Sequence, residues 1–266
     1  MDILLSGAAS GIGFETRREL ERIGHRVFSV DIKPLPLGSE RHFIADITDE
    51  EALKKVYAVL YDIRFDAIID IAGVHDMLSF AESDFSRFKR LIDINLLGHV
   101  LFNRLFYPLL KSDGRFIVVT SEVAYLDPLP FNGAYSVSKT ALDCYAQALR
   151  QELNLLGQKV ITIRPGAVKT ALADGSLVST QRLADETRLY KPQAKRFVHI
   201  AKRFMGTPMN SRKLARLINK VVSLKHPRLV YRVHTNPGLR LMNLLPKRAQ
   251  CRVIRAILNT KPEAKQ

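Results

Sequence analysis

Cysteine is scarce, long apolar runs are missing, and acidic residues all but vanish from the last third of the chain. The 266 residues include two cysteines, Cys144 and Cys251. Their separation fits no metal-ligand spacing and no disulfide framework, which predicts two free thiols in a reducing compartment, with Cys144 in the core. No stretch approaches the roughly 18 uncharged apolar residues that a membrane-crossing helix needs. The start, Met1-Asp2-Ile3-Leu4-Leu5, places an acid at position 2 and has too short an apolar run for a secretory leader. These absences predict a soluble, cytoplasmic protein. There is no internal repeat and no low-complexity linker. The expected organisation is therefore one domain over residues 1–260, with a disordered tail over 261–266.

The acids that remain are unevenly placed. Residues 188–266 hold 20 Lys and Arg against one acid, Glu263, whereas residues 1–187 hold 21 bases and 25 acids. A basic C-terminal third attracts anions and eases approach to an acidic surface. Ordinary nucleic-acid motifs are absent, so no nucleic-acid partner is expected.

Hydrophobic residues make up 47% of the chain, enough for a sizeable core. Apolar runs suited to strands fall at Asp2–Ser6, Arg26–Asp31, Arg41–Ile44, Ala67–Ile71, Arg115–Thr120, Lys159–Arg164 and Leu229–Val233. Helical periodicity falls at Gly11–Ile23, Glu50–Leu60, Phe85–Leu97, Gly98–Lys111, Ala134–Leu156 and Asn210–Leu224. Most strands are rich in Val and Ile without strict alternation, as strands covered on both faces are. The alternation predicts an α/β fold: a doubly wound, Rossmann-like parallel sheet of about seven strands with helices on both faces. Residues 172–207 show weak periodicity and read as a substrate loop or lid. Residues 238–260 read as basic amphipathic helices broken at Pro246.

The first strand runs into Ser6-Gly7-Ala8-Ala9-Ser10-Gly11-Ile12-Gly13 and then a helix. Glycines there let the backbone turn tightly and approach a pyrophosphate, and the new helix offers free N–H groups and a positive dipole end. The second strand ends at Asp31, 18 residues past Gly13. An acid at that point accepts hydrogen bonds from adenosine ribose hydroxyls and repels a 2′-phosphate. No Arg or Lys lies at Ala8, Ala9, Ser10 or Ile32, although Lys33 is close, so NAD is expected over NADP. Asp46, after the third strand, is placed to meet the adenine amino group, or else it or Thr48 caps the next helix.

Tyr135 and Lys139 stand four residues apart in a predicted helix, which puts both side chains on one face. A phenol ionises near pKa ~10, too high for a base at neutral pH, and a neighbouring ammonium is expected to lower it. Ser121 closes a strand and is placed to hydrogen-bond a substrate oxygen.

The ordered set resembles the short-chain dehydrogenase/reductase family over residues 1–260. Ser6 to Gly13 resembles its T-G-x3-G-I-G motif, with Ser6 for threonine. Tyr135-Ser136-Val137-Ser138-Lys139 resembles Y-x3-K, and Thr120-Ser121 resembles the catalytic serine position. Asn95, in Asp-Ile-Asn-Leu-Leu-Gly, is similar to the family's helix asparagine. Arg164-Pro165-Gly166-Ala167-Val168-Lys169-Thr170 resembles the segment that touches the nicotinamide carboxamide, Val168 by its backbone and Thr170 by its hydroxyl.

The resemblance implies that Tyr135 is the general acid/base, Ser121 orients the substrate, Lys139 binds the nicotinamide ribose, and Asn95 holds a water in a proton relay. It also implies a dinucleotide lying along Gly7, Ser10, Gly11, Ile12, Gly13, Asp31, Asp46, Ile47, Ala72, Gly73, Tyr135, Lys139, Pro165, Val168 and Thr170, no metal, and a homo-oligomer. Asp70-Ile71-Ala72-Gly73 departs from the family's N-N-A-G. Ile71 cannot make the interstrand tie of the second asparagine, and Asp70 either does different work or leaves the strands to backbone contacts alone.

The apolar residues of the 172–207 region, Phe204 among them, and the stretch from His234 to Arg240 with the tail beyond are similar to hydroxysteroid and retinol-type members. A bulky apolar secondary alcohol or ketone is therefore the expected substrate. Two other readings compete. A 3-oxoacyl thioester on a carrier protein or coenzyme A would use the basic third for its acidic handle. A peripheral membrane protein would use the fold as a scaffold and touch anionic lipid through the Arg240–Leu258 stretch.

Overall fold

A computed structural model describes residues 1–36, 38–204 and 208–259. The expected tail at 261–266 and the last three residues of the expected lid lie outside the described residues.

Seven strands form one parallel sheet: β1 (Asp2–Ser6), β2 (Arg26–Asp31), β3 (His42–Ile44), β4 (Phe65–Asp70), β5 (Leu110–Val119), β6 (Lys159–Pro165) and, named here in chain order after two short strands, β9 (Val230–Val233). The spatial order is β3-β2-β1-β4-β5-β6-β9. Alternating residues of one strand serve opposite cores. Ile3 and Leu5 of β1 face α1 (Gly11–Arg22) and α8 (Ser211–Ser223), while Leu4 faces the layer of α2 (Glu50–Leu60), α4 (Gly98–Phe106) and α5 (Gly133–Asn154). Every one of these β1 residues is fully buried, which is why the sequence shows no polar–apolar alternation.

Chain order reverses between β1 and β4, so the two connections leave in opposite directions and open a crevice at the strands' carboxyl ends. Into that crevice run Gly7–Gly13 from β1, Ile71–Gly73 from β4 and Ser121 from β5.

Six expectations need correction. The strand placed at Ala67–Ile71 begins at Phe65 and ends at Asp70, and the one placed at Arg115–Thr120 begins at Leu110. The helix expected over 98–111 stops at Phe106, because Pro108 lies in a 3-10 turn, Tyr107–Leu109, and cannot continue an α-helical ladder. The helix expected over 85–97 divides into α3 (Phe85–Ile92) and a π-helical turn, Asp93–Leu97. Cys144, expected in the core, is exposed on α5, as Cys251 is on the last helix. Thr48 and Asp46 do not cap α2. Asp49 does, accepting from the Ala52 N–H at 3.0 Å.

The region read as a lid is two helices, α6 (Ala171–Glu186) and α7 (Lys191–Phe204), preceded by β7 (Val168–Lys169), which pairs with β8 (Met209–Asn210). Beyond β9 come α9 (Pro237–Asn243) and α10 (Lys247–Asn259), divided at Pro246 as expected. No helix among the described residues is long and apolar enough to cross a membrane.

Candidate active site

The glycine loop is packed to its limit. Gly7 takes φ +76°, and a side chain there would meet the Ala72 backbone at 2.6 Å. A Cβ on Gly13 would lie 1.8 Å from the Gly7 carbonyl oxygen. Gly11 takes φ +54° and touches Thr170 from across the crevice, so the segments after β1 and β6 frame one slot. Ser10 is the N-cap of α1, yet its side chain makes no capping bond and the first turn carries no acid. The helix therefore presents N–H groups and a positive end that suit a pyrophosphate. This cradle fits the dinucleotide that the sequence implies.

Asp31 lies at the end of β2 with Oδ2 accepting from the Ala9 N–H at 2.8 Å and Oδ1 from the Lys33 N–H at 3.0 Å. The carboxylate thus sits directly against the glycine loop. Asp46 follows β3, its Oδ1 bound by the Thr48 N–H and hydroxyl at 2.9 and 2.8 Å. Ile47 is buried against Gly98 of α4. These three positions lie apart from the reaction cleft, on the side of the sheet where an adenosine would extend.

Tyr135 and Lys139 occupy consecutive turns of α5, and Ser121 follows β5. The Tyr135 hydroxyl is hydrogen-bonded to Ser121. Burial pushes the phenol up to about 12, opposed only by that hydrogen bond. The expected lowering by the Lys139 ammonium is not seen, because withdrawal from water dominates at this position. Burial likewise pushes Lys139 down to about 8, while the charge of Asp70 acts in the opposite sense. At neutral pH the pair is a neutral phenol beside a mostly charged amine.

Asn95 sits in the π-helical turn. Its Nδ2 donates to the Val74 carbonyl at 2.9 Å and to Ser138 Oγ at 3.0 Å, and its Oδ1 accepts from the Val74 N–H at 2.8 Å. A Cβ on Gly73 would lie 3.1 Å from Asn95 Oδ1 and 3.2 Å from Lys139 Nζ, so that bare glycine lets the amide and the ammonium converge. Ile12, Gly73, Pro165, Val168 and Thr170 line the same cavity as Ser121, Tyr135 and Lys139. Asn95 stands behind Gly73 rather than in the lining.

Asp70 does different work from an interstrand tie. It is wholly buried, accepts from Asn103 Nδ2 at 2.7 Å, and lies 3.5 Å from His99 Nδ1. His99 Nε2 donates to the Ala72 carbonyl at 2.8 Å. A polar cluster on α4 thereby holds the loop that carries Gly73. The Ile71 N–H uses Ser6 Oγ at 3.3 Å, so a side-chain tie between β1 and β4 persists through the serine of the first motif.

Two residues escaped the sequence reading. His75 packs tilted against the Tyr135 ring at 4.4 Å between centroids and donates from Nε2 to Asn132 Oδ1 at 3.1 Å. Burial pushes its pKa down to about 4, leaving it neutral. Glu122, next to Ser121, accepts from the Asn236 N–H at 2.6 Å and joins the Ser121 loop to the segment before α9. No local pattern marks either contact. Proximity in sequence to Ser121 was the only available signal for Glu122.

The cavity holds about 590 Å³, within the ~300–1,000 Å³ typical of small-molecule sites. Its outer walls are apolar side chains of α6, α7, α9 and α10, including Leu172, Phe197, Met242, Ile254 and Leu258. Lys139 is the one Lys or Arg in its lining among the described residues. No cluster suited to a metal occurs among the described residues.

Comparison with known proteins agrees with this geometry. The short chain dehydrogenase family matches residues 2–179. Estradiol 17-beta-dehydrogenase 2 of Mus musculus is 32% identical over 184 residues, 63% of this chain and 48% of that protein. The chain thus spans about half the length of that mammalian relative. The 3-ketodihydrosphingosine reductase of Bacteroides thetaiotaomicron is 26% identical over 231 residues, 85% of this chain and 84% of that protein. Among solved structures, a short chain dehydrogenase from Burkholderia cenocepacia in complex with NADP aligns with TM-score 0.71 at 21% identity, covering 97% of each chain. The fold, the matched region and the relatives agree: the chain belongs to the short-chain dehydrogenase/reductase family of oxidoreductases.

Proposed function

We propose that this chain transfers a hydride between NAD and a bulky, apolar secondary alcohol or ketone, with Tyr135 as general acid/base. One observation carries the reading: the Ser121–Tyr135 hydroxyl pair opens onto a cavity walled by apolar side chains and, among the described residues, free of any lysine or arginine but Lys139.

A nicotinamide dinucleotide would lie with its pyrophosphate on Gly7–Gly13 and its nicotinamide end by Pro165–Thr170 and Lys139, and it would supply the hydride; the protein supplies orientation and the proton. Ser121 Oγ and Tyr135 Oη together grip a carbonyl oxygen. In reduction, the neutral phenol donates its proton to that oxygen as negative charge develops there. In oxidation, the phenol first releases its proton to solvent, and the resulting Tyr135 phenolate oxygen receives the alcohol proton. Lys139 keeps a positive charge beside the developing phenolate, and Asn95 and Asp70, through Val74 and Ala72, fix the loop against which Lys139 rests. The apolar walls exclude water and so strengthen these polar contacts.

Asp31 supports NAD over NADP. A carboxylate against the glycine loop repels a 2′-phosphate, and the residues around it offer no side-chain cation at Ala8, Ala9, Ser10 or Ile32. The cavity lining disfavours a carrier-linked thioester, whose acidic handle would find no partner inside it. The test is a panel of steroids, bile acids, retinoids and 3-hydroxyacyl thioesters, assayed with NAD and NADP in parallel. Apolar cyclic alcohols turning over with NAD are expected. Turnover of small polar alcohols alone would refute the apolar-cavity reading, and preference for NADP would refute the role of Asp31.

A further inference from the structure

We infer that the corner between α9 and α10 docks on the surface of an anionic lipid bilayer. The helix α9 is apolar on two sides. Leu239 and Met242 face the cavity, while Leu241 and Leu244, three residues apart on the other side, are 68% and 80% exposed. Leu245, in the turn, extends the same patch. Single exposed leucines are ordinary, but a contiguous set at a protruding corner is not.

Bases ring this patch. Arg240 lies before it and Lys247 and Arg248 after it, and all three are exposed. The outer side of α10 continues with Arg252 and Arg255, at the helical spacing of one face. Lys247 pairs with Asp127. Arg240, Arg248, Arg252 and Arg255 have no ion pair among the described residues, and the sequence holds one acid beyond Arg188, Glu263.

Protruding leucines inside a guanidinium ring match a bilayer surface on both counts. The leucines enter the acyl boundary, and the bases meet anionic headgroups. A second copy of this chain would set the same positive ring against itself. Nucleic acid would leave the leucines without a partner. Docking stands apart from the redox reading. Its consequence, that an apolar substrate enters the cavity from lipid past α9, rests on that reading.

The experiment is flotation of the full chain with vesicles of phosphatidylcholine, alone or mixed with phosphatidylserine. Flotation is expected with the mixed vesicles at low salt, not with phosphatidylcholine alone, and is lost at roughly 0.5 M salt. The triple variant Leu241→Ser, Leu244→Ser, Leu245→Ser is expected to reduce the bound fraction about tenfold. None of these residues lines the cavity, so NADH binding and thermal melting serve as controls for folding.

The chain contains no tryptophan, so Leu244→Trp introduces a single indole. Its emission is expected to shift to the blue on adding mixed vesicles. No flotation at low salt, full flotation of a folded triple variant, or an indole indifferent to lipid would each overturn the proposal. A triple variant that changes the sedimenting mass while the parent chain ignores vesicles would assign the patch to self-association instead, and would equally overturn it. A chain that floats yet shows no NAD-linked turnover would keep the docking and reject the proposed chemistry.

Discussion

The shelf formed by Gly7, Gly11 and Gly13 and the wall formed by α6, α7, α9 and α10 enclose one cleft by opposite means. The shelf is made of backbone. Its atoms lie so close that a single added methyl at Gly13 has no place to go. The wall is made of side chains such as Leu172, Met242 and Ile254, each replaceable by another of similar volume. The shelf belongs to a segment with a slight excess of acids, and the part of the wall beyond α6 to one with nearly none. A common dinucleotide demands a fixed shelf, whereas a family spread over many substrates needs a wall that varies.

The sharpest way to break this comparison lies between the two regions. Tyr135→Phe keeps the ring packed against His75 and removes only the transferred proton. Turnover is expected to fall by about 10²–10⁴-fold, with dinucleotide binding, followed by NADH fluorescence, unchanged. Parallel loss of binding would show that the phenol belongs to the shelf.

Separate substitutions then test whether the regions act independently. Ile254→Ala, on the wall, is expected to raise KM for an apolar substrate by about 10–100-fold and to leave NADH affinity alone. Asp31→Ala, beside the shelf, is expected to do the reverse, relaxing the discrimination between NAD and NADP at constant substrate KM. Steady-state kinetics with each component varied separates the two, and crossed effects would show that wall and shelf are coupled.

The smallest effect sharpens the electrostatic side. Lys139 sits near 8 rather than its ordinary 10.5, so its ammonium is lost as pH rises through about 8. An alkaline limb in turnover is expected there. Asp70 draws that value upward, so Asp70→Asn should move the limb to lower pH, by about one unit or less. A fall in turnover with no movement of the limb would reduce Asp70 to a packing role.

What the sequence disclosed followed from how local each signal is. The glycine loop, the Val- and Ile-rich strands and the Tyr135–Lys139 spacing depend on neighbours in the chain, and the structure has the loop between β1 and α1, seven parallel strands with two bounds shifted, and the pair on consecutive turns of α5. The helices α6 and α7 were hidden because their apolar residues face two surfaces, a small core with Met77 and Phe131 and the cavity, which blurs a single stripe. Cys144 was misplaced because its apolar character suggests burial, while the turn of α5 aims it outward. The contact of His75 with the Tyr135 ring, the bond from Asn103 to Asp70 and the approach of His99 to Asp70 join residues far apart in the chain, and nothing near either partner announces the other.

The π-helical turn at Asp93–Leu97 holds one residue more than a regular α-helix would need. It lets Asn95 within the turn and His99 and Asn103 beyond it all grasp the strand-4 loop, at Val74, Ala72 and Asp70. Deleting one codon within those five would restore an uninterrupted helix and rotate one set about 100° relative to the other. Either the amide or the imidazole would then swing away. The geometry of the support for Lys139 thus hangs on an insertion that a descendant cannot shed one residue at a time without losing half of what it holds.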